Sequence, residues 1–187
     1  MIYEKIKEYR PYNEHEEADK KLMLDFINKN PDYLLRTNLI AHLTTSCIVL
    51  NQRHDSILMC YHNIFNSWSW LGGHNDGEED CLLVAIKEAK EETGIDDFIV
   101  LSPDIFSLEC LTVDGHYKKG KYVPSHLHLN VTYLLEADDK KPLKIKEDEN
   151  KGLRWMSFEE FIELPNEKWM VDIVYTKLLN KIKETAL

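Results

Sequence analysis

"GGHNDGEEDCLLVAIKEAKEETGI", residues 72–95, opens with two glycines, passes through a loop of acids and runs into a helical pattern over 80–93. Gly94 stands just past that pattern, where helices commonly end on a left-handed residue that glycine adopts without steric cost. Near the end of the helix Glu88, Glu91 and Glu92 stand at i, i+3 and i+4. Like charges at that spacing destabilise a helix by roughly 0.2–0.5 kcal/mol per pair. Three carboxylates gathered on one side therefore call for a cation. Leu82, Ala85, Ile86, Ala89 and Thr93 form the stripe expected to pack on a sheet, and the glutamates fall on the neighbouring stripe, clear of the core centre. Lys87, at i−4 from Glu91, is placed to orient or partly neutralise it. The same letters also describe an exposed helix laced with ion pairs.

Outward from this stretch the period changes. "HLTTSCIVLN" (42–51) and "SILMCYH" (56–62) are short apolar runs separated by a polar turn, the pattern of a strand pair. "NSWSWLGG" (66–73) predicts a short strand feeding the glycine loop. Beyond the helix, residues 97–115, "SHLHLNVTYLLEA" (125–137) and "GLRWMS" (152–157) read as strands, and "FEEFIELP" (158–165) as a brief helix ended by proline. The tail "EKWMVDIVYTKLLNKIKE" (167–184) predicts an amphipathic helix, with Met170, Ile173, Val174, Leu178 and Ile182 near helical spacing. Strands and helices interleaved in this way imply a sheet covered by helices, and the hairpin-like connections make that sheet mixed rather than purely parallel.

The first segment differs. Asn13 followed by Glu16 fits a capping box with an Asn acceptor, and Leu22, Phe26 and Ile27 share one side of a helix stopped by Asn30-Pro31. This predicts an N-terminal helical extension over 1–40, packed on the core or on a partner chain, followed by the main domain over 41–187. With 187 residues, 43% hydrophobic and 30% charged, the chain has the composition of a soluble globular protein. Its apolar runs fall short of the roughly 20 residues a membrane span requires. The N-terminus has no signal-type apolar stretch, so a cytoplasmic protein is expected. A net charge of -10 argues against gripping long nucleic acid, but not against a small phosphorylated substrate whose charge a bound divalent metal offsets. Cys47, Cys60, Cys81 and Cys110 are widely spaced and read as small buried hydrophobes rather than a disulfide framework.

From Gly73 the chain reads G-x5-E-x7-K-E-A-x-E-E-x-G-I. This resembles the signature box of the Nudix hydrolases, G-x5-E-x7-R-E-U-x-E-E-x-G-U, where U is a bulky apolar residue. Gly73, Glu79, Glu88, Glu91, Glu92, Gly94 and Ile95 match, and Ala89 is a small occupant of the first U. Lys87 replaces the arginine, keeping charge without the planar fork, and Asp76-Gly77-Glu78 stands where relatives often carry Glu-Pro-Gly. The resemblance extends over roughly residues 41–164 and implies an α/β (α+β) fold, a Nudix-like α/β/α sandwich around a mixed sheet. It also implies a pyrophosphohydrolase that uses Mg²⁺ or Mn²⁺ to cleave, by water attack on phosphorus, a nucleoside diphosphate linked to another moiety. Carried over by position, Glu88, Glu91, Glu92 and the carbonyl of Gly72 are metal ligands, and Glu79 supports the loop-to-helix junction through Lys87. The general base is Glu88 or Glu92, or alternatively an acid among Glu147, Asp148 and Glu149. The competing reading from another class is a non-catalytic nucleotide-sensing or scaffold protein of the same fold.

Further candidates lie outside the box. His126 and His128 alternate on a strand and point to one face, which suits a metal site, a contact to substrate phosphate or half-buried packing. His74 sits just inside the glycine loop and is a candidate for reaching a phosphate or leaving group. Trp68, Trp70 and Tyr61 are candidates for stacking on a base, whereas Trp155 and Trp169 are expected in the core. Lys118, Lys119 and Lys121 make the one locally basic loop. A homodimer is a possible assembly, given two amphipathic terminal helices. The substrate itself is set by loops outside the box.

Overall fold

The computed structural model describes residues 1–63, 66–118, 120–146 and 150–185. In chain order the elements are α1 (Ile2–Glu8), α2 (Glu14–Lys29), β1 (Ala41–Asn51), β2 (Ser56–His62), β3 (Ser67–Ser69), β4 (Leu71–His74) and α3 (Cys81–Thr93). They continue with β5 (Ile99–Val100), β6 (Ser107–Val113), β7 (His116–Lys118), β8 (Lys121–Val123), β9 (His126–Ala137), β10 (Asn150–Ser157), α4 (Phe158–Glu163), a π-helical stretch (Met170–Tyr175) and α5 (Thr176–Glu184). The fold is of the expected α+β class, a mixed sheet with helices. Strand pairing follows the order β10-β2-β1-β9-β5, with β3 on β2, β4 on β1 and β6 on β9. Two compact units divide the chain: residues 1–46, 73–84 and 104–133 in one, and 47–72, 85–103 and 134–187 in the other.

In the first unit β6 pairs antiparallel with β9 from Ser107↔Thr132 to Val113↔His126. The N-terminal helices rest on this pair. Asn13 caps α2 by accepting the Glu16 N–H at 3.0 Å, but the Glu16 carboxylate reaches beyond the helix. It accepts from the Tyr9 hydroxyl at 2.6 Å, the Tyr12 N–H at 2.7 Å and the Ser107 hydroxyl on β6 at 2.8 Å. One turn later Asp19 accepts the Cys110 N–H at 3.0 Å. The helix therefore packs on the core of its own chain, with Glu16, Met23 and Ile27 as its buried line. Leu22, expected on that line, is 41% exposed.

In the second unit β2 is flanked by β10 and β3, both antiparallel, and Leu50 of β1 pairs with Ile57. β1 is buried along its whole length, and its part in this unit carries the apolar run Cys47–Leu50. Ser157 and Glu160 form a capping box that starts α4 and turns Phe161 into the core. The tail departs from the expected single α-helix. Met170–Tyr175 is π-helical, and the Thr176 N–H and hydroxyl both donate to the Val171 carbonyl. The wider turn rotates Tyr175 inward against Trp70 and Phe161. It leaves Trp169, expected in the core, 51% exposed.

Gly94 ends α3 at φ +72°, and a Cβ built there would stand 2.7 Å from the Lys144 Cβ. The backbone passes so close because the Lys144 N–H donates to the Thr93 carbonyl at 2.8 Å. Gly94→Ala is expected to lower stability by at least the 1–2 kcal/mol or so that a left-handed L-residue costs. Urea unfolding monitored by fluorescence measures it, and an unchanged midpoint contradicts the close approach.

Candidate active site

Asp80 starts α3 by accepting the Leu83 N–H at 3.2 Å, the usual way a side chain satisfies an open helix N-terminus. On the last turns of α3 the three glutamates have unequal surroundings. Glu92 is 3% exposed, and its Oε2 accepts the Gly72 N–H at 3.0 Å. It lies within the buried line of the helix with Ala85, Ala89 and Thr93, not clear of it, while Leu82 and Ile86 are only half-buried. Glu88 is half-buried. Burial pushes the Cys47 thiol on β1 well above its usual range, and Glu92 and Glu88 add to that shift. Glu91 is exposed and stands between two ammonium groups, Lys87 at 3.7 Å and Lys146 at 3.3 Å. Lys87 thus meets Glu91, as the i−4 spacing allows.

The donor set is carboxylate oxygen throughout, which suits a hard dication such as Mg²⁺ or Mn²⁺. Mg²⁺ usually takes one or two protein carboxylates and keeps waters for the rest of its shell. Glu92 could offer one such carboxylate, with one oxygen anchored by a backbone donor. The Glu147–Asp148–Glu149 alternative and Lys119 lie outside the described residues.

The acidic loop ahead of α3 is tied down in the first unit. Asn75, 4% exposed, accepts the Thr45 hydroxyl at 2.9 Å and donates to the Glu78 carbonyl at 2.9 Å. Arg36 forks onto Asp76 through both carboxylate oxygens and holds its carboxyl below the usual range. Glu79 is exposed.

In the same unit His74, His126 and His128 come together around His42 of β1. Ring centroids lie 5.1 Å apart for His42–His74, 4.9 Å for His42–His126 and 5.0 Å for His42–His128. Burial is the main cause that lowers His74 to about 3 and His128 to about 2, and it lowers His42 as well. These rings are therefore neutral near pH 7 and offer lone pairs rather than positive charge.

The NUDIX domain model matches residues 41–177. The chain belongs to the Nudix family. Solved structures agree in fold. A C. elegans Ap4A hydrolase in a binary complex is 20% identical with a TM-score of 0.53, over 76% of this chain and 95% of that one. An E. coli dihydroneopterin triphosphate pyrophosphohydrolase is 15% identical with a TM-score of 0.55, over 74% and 95%. A NUDIX-family hydrolase from Clostridium perfringens is 21% identical with a TM-score of 0.51, over 74% and 96%. At these identities the likeness is one of fold. No curated protein matches the chain. Among the described residues no helix is long and apolar enough to cross a membrane.

Two partners of the Nudix residues escape sequence reasoning. Lys146 is distant in sequence from Glu91, and nothing in its surroundings marks it. His42 left a signal: His42, Thr44 and Ser46 alternate along the strand, which puts three polar groups on one face. The matching stripe on β9 is His126, His128, Asn130 and Thr132, and Asn130 accepts from both Thr44 and Ser46. Trp68, half-buried in the second unit, packs edge-on to Tyr61 at 5.3 Å.

Proposed function

We propose that this Nudix protein is a metal-dependent pyrophosphohydrolase that cleaves a diphosphate link in a nucleoside diphosphate joined to another moiety, by attack of water on phosphorus. The observation that carries it is the Glu88–Glu91–Glu92 group on α3, with Glu92 buried and anchored to the Gly72 N–H. When bound, Mg²⁺ or Mn²⁺ supplies charge neutralisation and polarisation of the phosphoryl group. Glu92 and Glu91 hold the ion, with the Gly72 carbonyl as a further oxygen donor. Lys87 and Lys146 restrain Glu91 and offset part of its charge. Glu88 takes the proton of the attacking water. Trp68, half-buried beside Tyr61, would stack on the base of the nucleotide.

The experiment is a release assay over four substrate classes with Mg²⁺ and with Mn²⁺: nucleoside triphosphates, nucleotide sugars, dinucleoside polyphosphates and ADP-ribose. Dinucleoside polyphosphates and triphosphates come first, because the similar C. elegans and E. coli enzymes are named for an Ap4A and a triphosphate activity. Turnover of at least one class that stops on chelation is the expected result. Binding without product across the panel indicates a nucleotide-sensing protein instead.

A further inference from the structure

We infer that His42, His74, His126 and His128 form a second metal site, built for a nitrogen-preferring dication of the Zn²⁺ type. Among the described residues, ligand atoms of His42, His74 and His128 lie within 4.8 Å of one another. Each ring comes from a different strand position, β1, β4 and β9, so the backbone holds the group rather than a flexible loop. His126 completes it, with its Nε2 3.2 Å from the Nε2 of His128. Zn–N bonds of about 2.0–2.1 Å in a tetrahedron set neighbouring nitrogens roughly 3.3 Å apart. The His126–His128 separation is close to that value, and the ligand atoms of His42, His74 and His128 stand within 4.8 Å of one another.

Two observations distinguish a metal site from a packed cluster of rings. First, the His42 Nδ1 lies 3.0 Å from the Asn38 carbonyl, and the His126 Nδ1 lies 2.8 Å from the Pro124 carbonyl. A carbonyl only accepts, so Nδ1 carries the hydrogen in both, which leaves Nε2 as the atom to meet a metal. Metal-ligating histidines are oriented by this same outer hydrogen bond to a carbonyl or carboxylate. Second, His42 is 3% exposed and its Nε2 is buried without a hydrogen-bond partner. Buried polar atoms are nearly always satisfied, and an exception commonly marks an ion or water. That atom belongs to a ring stacked among His74, His126 and His128. Four imidazoles and no oxygen donor in the set favour Zn²⁺ over Mg²⁺.

The test uses the full chain, stripped with chelator and titrated with Zn²⁺, and separately with Co²⁺ as a spectroscopic probe, each in excess Mg²⁺. One equivalent of Zn²⁺ bound with a raised Tm, and the strong visible absorption of tetrahedral Co²⁺, are expected. His42→Ala and His128→Ala should weaken Zn²⁺ by at least about 100-fold, beyond the loss caused by removing an outer-shell partner. Glu88→Gln/Glu92→Gln should leave Zn²⁺ affinity unchanged, which separates this site from the proposed Mg²⁺ site. Zn²⁺ affinity that survives His42→Ala, or that disappears with the glutamate variant, overturns the inference. Should the histidine variants not fold, the Co²⁺ spectrum of the unaltered chain decides alone: only the faint absorption of an octahedral oxygen shell, or no binding, overturns it.

Discussion

Glu88→Gln and Glu92→Gln are each expected to lower kcat by about 10²–10⁴-fold, the range that a positioned acid or base contributes, with the fold intact. Gln has the shape of Glu and keeps an acceptor oxygen, so the Gly72 N–H that binds Glu92 at 3.0 Å retains its partner. What is removed is negative charge, and at position 88 the capacity to take a proton. An interaction made only in the transition state lowers kcat and kcat/KM alike, and that pattern is expected at Glu88. Glu91→Gln should cost less, because Lys87 and Lys146 already offset its charge. Steady-state rates on the substrate found in the release assay, at saturating Mg²⁺, provide the measurement. Near-normal rates in both the Glu88 and Glu92 variants refute the assignment of α3 as the catalytic helix.

The largest expected loss of stability belongs to Glu16→Ala. The Glu16 side chain is fully buried and accepts from Tyr9, Tyr12 and Ser107. Burial first, and Glu16 second, push the Tyr9 phenol well above its usual range, so it remains a donor at every working pH. Each buried donor left without an acceptor costs about 1–3 kcal/mol. Ser107 keeps Glu109 as an alternative at 2.5 Å and the Tyr9 hydroxyl keeps the Phe106 carbonyl at 3.3 Å, so the three lost bonds are partly replaced and the net loss is about 3 kcal/mol. In a domain of this size that lowers Tm by roughly 6–12 °C. Glu16→Gln retains one oxygen and should lose less than half as much. Calorimetry on the two variants decides, and equal Tm values would remove Glu16 as the anchor of the N-terminal helices.

Glu16 also shows where a local pattern stops. Asn13 and Glu16 read as a capping box, and Asn13 does cap α2, but the glutamate turns away to Tyr9, Tyr12 and a strand about ninety residues away. The tail is similar. Its apolar spacing read as one α-helix, whereas the π turn at Met170–Tyr175 was set by where Tyr175 had to pack. Leu22 and Trp169 were misplaced for the same reason: an amphipathic pattern names a face but not how much of it the core covers.

Sequence alone located the strands, read at 42–51, 56–62 and 125–137, the α3 helix with its glycine stop, and the register of the Nudix glutamates. These depend on propensity, periodicity and fixed spacing within a short window. Tertiary structure decided that Glu92 is buried against Gly72, that Lys146 meets Glu91, and that His42 joins His74, His126 and His128. Each of those facts joins residues far apart in the chain. Alternation along a strand tells which side a residue faces, but only strand pairing brings two such sides together.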